Sequence, residues 1–140
     1  MRFTIYGNPV TKKNSQRIVT RGRFPKVLPS AQYVKYQEEC LKQLSEVCAP
    51  MISTPVNVKA IYYMQTRRKV DLSNLNSALH DILVDAGILE DDNRNIIAGH
   101  DGSRVFYDKD NPRVEVYITP MPKYEQWTGT TKKVRQLIGG

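Results

Sequence analysis

The stretch that most constrains this chain is Val70 to Asn93, VDLSNLNSALHDILVDAGILEDDN, which carries six acidic residues and no Lys or Arg. The 69 residues before it hold thirteen Lys and Arg against three Glu. Six carboxylates cannot share a water-poor interior, so the segment must present an acidic surface within an otherwise basic protein. The spacing says how. Asp71 or Ser73 can cap a helix, since their side-chain oxygens accept unpaired N–H groups of the first turn. Leu72, Leu75, Leu79, Ile82, Leu83 and Ala86 then recur at helical spacing as one apolar stripe, and Asn74, Ser77, Asp81 and Asp85 project from the other side. Gly87 stands where a helix ends in a left-handed residue, ahead of Glu90, Asp91 and Asp92. A helix of about fifteen residues is roughly 22 Å long, so Asp71 and Asp92 meet only if the chain doubles back after Gly87 or if two subunits contribute. Piece by piece, the same residues also read as a cap, a solvated face and a polar turn.

The rest of the chain supplies a frame. Arg2 to Tyr6 alternates as a first strand, broken by Gly7-Asn8-Pro9. Residues 10–29 are polar, basic and punctuated by Gly22, Pro25 and Pro29, an exposed loop or loose hairpin. Ser30 caps a predicted helix from Ala31 to Val47, with Tyr33, Tyr36, Cys40, Leu44 and Val47 on its apolar side. Pro55 to Met64 reads as a strand that alternates at Val56, Val58 and Ala60 and then becomes continuously apolar. It delivers Arg67-Arg68-Lys69 and Asp71 to one sheet edge. Short strands over 95–99 and 103–107, a turn over 108–112 and a strand over 113–119 follow. The expectation is a single α+β domain over 1–120, a mixed sheet of four to five strands with two helices on one face, and a C-terminal tail over 121–140. The tail, with the only Trp and a basic Lys132-Lys133-Val134-Arg135 segment, reads as a frayed terminus or a dimer contact, with a DNA-stacking appendage as the alternative.

Composition narrows the function. At 140 residues and 40% hydrophobic content the chain is long enough for one sizeable core. No apolar run reaches the roughly 20 residues that span a bilayer, and MRFTIYGNP lacks a signal-peptide core, so a cytoplasmic protein without a membrane partner is expected. Cys40 and Cys48 have no companions at zinc-ligand spacing and read as reduced thiols, while His80 and His100 read as single, unpaired residues. A formal net charge of +7 points to a polyanion. Lys12, Lys13, Arg17, Arg21, Arg23 and Lys26 cluster, and Arg67-Arg68-Lys69 abut the acidic stretch. No Gly-x-x-x-x-Gly-Lys-Ser/Thr loop occurs, so no nucleotide cofactor is expected.

The pattern as a whole, Arg67-Arg68-Lys69, Asp71-Leu72-Ser73-Asn74-Leu75, Asp81, Ala86-Gly87 and Asp91-Asp92, resembles the RusA family of Holliday-junction resolvases, small homodimeric metal-dependent endonucleases common in phages and prophages. The match needs no gap over some 25 residues, and weaker similarity runs from Phe3 to Thr119. Ser73 stands at the family's second aspartate and Ser77 at its lysine. The resemblance implies an enzyme of DNA recombination and repair that nicks four-way junctions in pairs, with Mg²⁺, or Mn²⁺ in its place, as cofactor. It implies Asp71, Asp81 and Asp92 as catalytic residues, Asp71, Asp81, Asp91 and Asp92 as metal ligands, and Ser73, Asn74 and Ser77 as support. Lys12, Lys13, Arg17, Arg67, Arg68 and Lys69 are the expected DNA contacts, and Asp81 or Glu90 is expected to replace the carboxylate lost at Ser73. The alternatives are a non-catalytic junction or duplex binding module and a metal-dependent nuclease acting on flaps or single strands.

Overall fold

A computed structural model describes residues 1–12, 16–21 and 24–121, without the side chains of residues 16–21 and 24–29. The predicted Lys13 and the tail after Met121 lie outside the described residues, and Arg17 is described in its backbone alone.

The elements follow the expected order: β1 (Arg2–Tyr6), β2 (Gln16–Arg21), β3 (Phe24–Pro29), α1 (Ala31–Leu44), β4 (Val56–Met64), α2 (Leu72–Asp85), β5 (Ile97–Gly99), β6 (Arg104–Tyr107) and β7 (Arg113–Pro120). Within the stretch 10–29, expected as a loop or loose hairpin, β2 and β3 pair antiparallel with Arg21 opposite Phe24. The five remaining strands make one mixed sheet in the order β1-β7-β4, with β5 and β6 sharing the far edge of β4. β7 runs antiparallel to both neighbours, while β5 and β6 run parallel to β4. This is the single-domain α+β architecture that the strand and helix periods predict.

Alternation decides which face of the sheet is covered. Val56, Val58, Ala60 and Tyr62 of β4, Val114, Val116 and Ile118 of β7, and Ile5 of β1 are all buried. They join one core with Cys40 and Leu44 of α1 and with Leu75, Leu79, Ile82 and Leu83 of α2. The alternation in β4 continues through Tyr62, so Ile61 and Tyr63 point away from the core, where the sequence suggested a run buried on both sides. One polar bridge crosses this core: the Tyr62 hydroxyl donates to Asn76 Oδ1 of α2 at 2.8 Å. Removing either partner leaves a buried polar group unpaired.

Helix α1 begins as predicted, with Ser30 Oγ accepting from Tyr33 N at 3.1 Å. It ends at Leu44, three residues before the predicted end, because the amides of Glu46 and Val47 turn back to Gln43 and Leu44. These tighter bonds satisfy the last carbonyls without further helix. Cys40 is buried and Cys48, beyond the helix, is exposed; both are free thiols. No helix among the described residues is long and apolar enough to cross a membrane.

Candidate active site

The acidic stretch folds largely as its periods require. Asp71 is the N-cap of α2, with extended backbone, and its side chain accepts from Ser73 N. Ser73 Oγ donates to the same carboxylate at 2.7 Å, so Ser73 supports Asp71. From that cap an exposed or half-exposed row, Ser73, Ser77, Asp81 and Asp85, runs along the helix at intervals of four residues.

The C-terminal turn of α2 aims the remaining acids. Gly87 has a φ of 76°, a left-handed conformation that costs a glycine nothing and a side chain of ordinary size about 1 kcal/mol or more. Gly87 N donates to Val84 O and Ile88 N to Leu83 O, both at 3.0 Å, which closes the helix in a Schellman motif. The chain then pairs with Ile52, whose amide donates to Ile88 O and whose carbonyl accepts from Glu90 N. That pairing fixes the start of the acidic turn. Within it both oxygens of Asp91 are engaged, Oδ1 by Asp92 N at 2.7 Å and Oδ2 by Asn93 Nδ2 at 3.1 Å. Asp91 therefore shapes the turn, and Asp92 is the acid it presents.

Asp92 reaches the middle of α2. Lys12, Asp81, Val84, Asp85 and Asp92 line one cleft of about 190 Å³. Lys12 Nζ lies 2.7 Å from Asp81 Oδ2 and 5.7 Å from the centre of the Tyr33 ring. Gln37 of α1 donates to Asp85 Oδ2 at 2.7 Å. Partial burial, the hydrogen bond with Asp91 and the charge of Asp81 raise the Asp92 carboxyl above the usual aspartate value. Burial, then Asp81 and Asp85, pushes the Tyr33 hydroxyl far above its ordinary range. In both groups burial is the largest cause and the neighbouring acids add to it, while Lys12 of the N-terminal loop pairs with Asp81.

The predicted ligands thus fall into two places. Asp81 and Asp92 share the cleft. Asp71 sits ten residues before Asp81, about 15 Å along the helix axis, in a shallow depression of about 580 Å³ lined by Lys69, Val70, Asp71, Leu72 and Asn74. Asp71 and Asp92 therefore do not meet within one chain. Among the described residues no three His, Cys, Asp or Glu side chains are grouped closely enough to hold a metal ion. Arg67, Arg68 and Lys69 are exposed beside Asp71, and Arg67 stacks over the Tyr107 ring at 4.5 Å. Glu90 is exposed after the helix and does not line the cleft.

Two features escaped the sequence. Lys12, expected at a phosphate, is the counter-ion of Asp81; nothing local links residues 69 positions apart. His80 and His100, read as unpaired, stack with ring centres 6.5 Å apart and planes inclined by 24°. His80 Nε2 is buried without a hydrogen-bond partner. Burial, reinforced by the charge of His100 and opposed by Asp81, lowers its pKa to about 4.

Comparison with known proteins agrees with the geometry. The family model described as endodeoxyribonuclease RusA matches residues 7–119, from the N-terminal loop through most of β7. No curated protein matches the chain.

Proposed function

We propose that this chain, which belongs to the RusA family of Holliday-junction endodeoxyribonucleases on a match spanning residues 7–119, resolves four-way DNA junctions as a metal-dependent homodimer that nicks two symmetry-related strands. The observation that carries the reading is the cleft lined by both Asp81 and Asp92, with Lys12 paired to Asp81. Oxygen donors alone, with the Asp92 carboxyl raised by desolvation and by neighbouring acids, suit a hard divalent cation. Mg²⁺ keeps most of its waters and is commonly held by one or two carboxylates together with substrate phosphate, so a cage of three acids is not required. Asp81 and Asp92 would hold it, with Mn²⁺ as a substitute. When bound, the ion supplies an activated water and stabilises charge on the leaving oxygen.

The residues of the chain do the rest. Lys12 balances the acids before DNA arrives and turns to the scissile phosphate when the strand enters. It provides the cation that Ser77, one turn before Asp81, does not. Ser77 Oγ can donate to a phosphate oxygen. Arg67, Arg68 and Lys69 hold the backbone near Asp71 against the repulsion of the acids. The separation of Asp71 from Asp92 is resolved by a two-fold dimer in which α2 helices run antiparallel, placing Asp71 of the partner subunit beside Asp81 and Asp92. Such a dimer presents two equivalent sites, as paired nicking of a junction requires.

The test is a Mg²⁺ titration with end-labelled four-way junction, flap and duplex substrates. Asp71→Asn and Asp92→Asn each abolish nicking while junction binding is kept or strengthened, because a lost carboxylate weakens the metal site and also repels phosphate less. Unchanged nicking at saturating Mg²⁺ removes that residue from the mechanism. The Ser73 and Ser77 departures favour one other reading, a junction-binding module, and wild-type binding without cleavage at any Mg²⁺ concentration selects it.

A further inference from the structure

The face of the sheet opposite the helices is built from rings and cations. The pairing places Tyr6 of β1, Arg113 of β7, Tyr63 of β4 and Phe106 of β6 side by side in one row across four strands. The next row on the same face is Thr4, Glu115, Ile61 and Arg104, and the third is Arg2, Tyr117 and Lys59. The rings and cations of these rows are stacked on one another. The Arg113 guanidinium lies 3.8 Å from the centre of the Tyr63 ring, and Tyr63 and Phe106 have ring centres 5.7 Å apart. Lys59 and Arg2 lie over Tyr117 at 4.3 and 5.2 Å. At the two ends of the first row the rings are open to water: Tyr6 is 58% exposed and Phe106 51% exposed.

We infer that this face is a second nucleic-acid site, which takes unpaired nucleotides by stacking bases on the Tyr6-Arg113-Tyr63-Phe106 row and holding phosphates with Arg2, Lys59 and Arg104. Three points on the molecule select this occupant. First, the face carries Arg2, Lys59 and Arg104 beside Arg113, whose charge is met by Glu115 of the second row at 3.2 Å and by Asp108 at 3.0 Å, so the three rows keep a cationic surplus. That balance complements a polyanion, and it opposes a second copy of the chain, whose like charges would meet across the contact. Second, exposed rings beside cations suit a ligand that has flat faces and a charged backbone of its own. A duplex buries its base faces in its stack, whereas single strands offer them, and base-on-ring stacking tolerates any sequence. Third, neighbouring strands lie about 4.8 Å apart, so Tyr6 and Phe106 stand roughly 14 Å apart across the row, room for two or three bases. The guanidinium of Arg113, already flat on Tyr63, extends the platform between them.

This site lies on the far side of the sheet from α2 and shares no residue with the carboxylate cleft, so it stands or falls separately from the proposed nuclease. It would let the protein grip a strand that is unpaired beside a junction while the helix side addresses the duplex arms.

The test is fluorescence anisotropy of the full chain with a labelled twelve-residue oligothymidylate, in EDTA so that no cleavage intervenes. The wild type binds, with an affinity that falls as salt rises. Tyr6→Ala with Phe106→Ala weakens binding at least tenfold, Phe106→Tyr retains it, and Arg104→Gln makes the salt dependence shallower by about 0.7. Asp92→Asn leaves oligonucleotide binding intact, and the Tyr6→Ala, Phe106→Ala protein still nicks a fully paired junction. Because both side chains are largely exposed, thermal melting followed by circular dichroism should be unchanged. Absent wild-type binding, or equal affinity in the double-alanine protein, overturns the inference. So does a fall in mass of the double-alanine protein by sedimentation, which would make the face a contact between copies.

Discussion

Replacing Lys12 by Met separates the two roles that its position allows. The Lys12 to Asp81 bond is short, 2.7 Å, but the side chains are 42% and 32% exposed. An ion pair so open to solvent contributes no more than about 1 kcal/mol to folding, so the melting temperature should drop by only about 2–6 °C. The effect on metal binding has the opposite sign. An ammonium about 4 Å from a bound divalent cation repels it by roughly 2 kcal/mol in a water-like surrounding and by more where the cleft is drier. Its loss should tighten Mn²⁺ or Mg²⁺ binding to the DNA-free protein by about thirtyfold. Junction affinity moves the other way, since one phosphate contact is lost and the slope of log K against log salt becomes shallower by about 0.9. Isothermal titration with Mn²⁺, followed by junction binding in Ca²⁺ across a salt series, measures both. A Lys12→Met protein whose metal affinity is unchanged or weaker would show that Lys12 is not the counter-charge of the metal site.

Asp81→Asn should reduce single-turnover junction cleavage severely, and Ser73→Asp should restore part of it by adding a carboxylate beside Asp71; near-normal cleavage by Asp81→Asn refutes this compensation. Stability should also carry the mark of His80. Its folded pKa, about 4, lies below the ordinary 6.5, so the unfolded chain takes up the proton first. The neutral ring's contribution is complete above about pH 6.5 and is lost as pH falls toward 4, by up to about 3 kcal/mol. Urea midpoints at pH 7.5 and 4.5 check the sign: His80→Gln should flatten the difference, and an equal difference in both proteins refutes it.

What was legible in the sequence was what neighbours along the chain decide. Helix α2 announced itself through the Leu72 to Ala86 period, the Asp71 cap and the left-handed Gly87, three local signals that agree. The order of strands followed from alternation in the same way. Long-range choices were not legible. Whether Lys12 faces a phosphate or Asp81 depends on where the N-terminal loop lies against α2. Nothing next to Asn76 in the sequence marks it for burial, which only the arrival of Tyr62 from β4 makes tolerable. The Ile61-Tyr62-Tyr63 run hid its alternation because tyrosine is at home on either face: Tyr62 is buried with its hydroxyl bonded, while Tyr63 lies half-open beneath Arg113.

The rigid length of α2 limits every mechanism for this protein. Ser73 and Asp81 are eight residues apart, about 12 Å along the axis, and the helix is pinned at both ends, by the Asp71 cap and by the Gly87 turn. No side-chain movement within one chain brings an acid at position 73 into contact with the Asp81 and Asp92 cleft. Restoration of Asp81→Asn by Ser73→Asp therefore has a geometric meaning beyond activity: it requires the cap end of one α2 to lie against the middle of another. Mixed dimers sharpen the point. If the sites are shared between subunits, one site of a dimer formed from Asp71→Asn and Asp92→Asn chains takes both substitutions and the other takes none, so an inactive pair of proteins regains single nicks on mixing. If each site belongs to one chain, both sites stay damaged and mixing restores nothing.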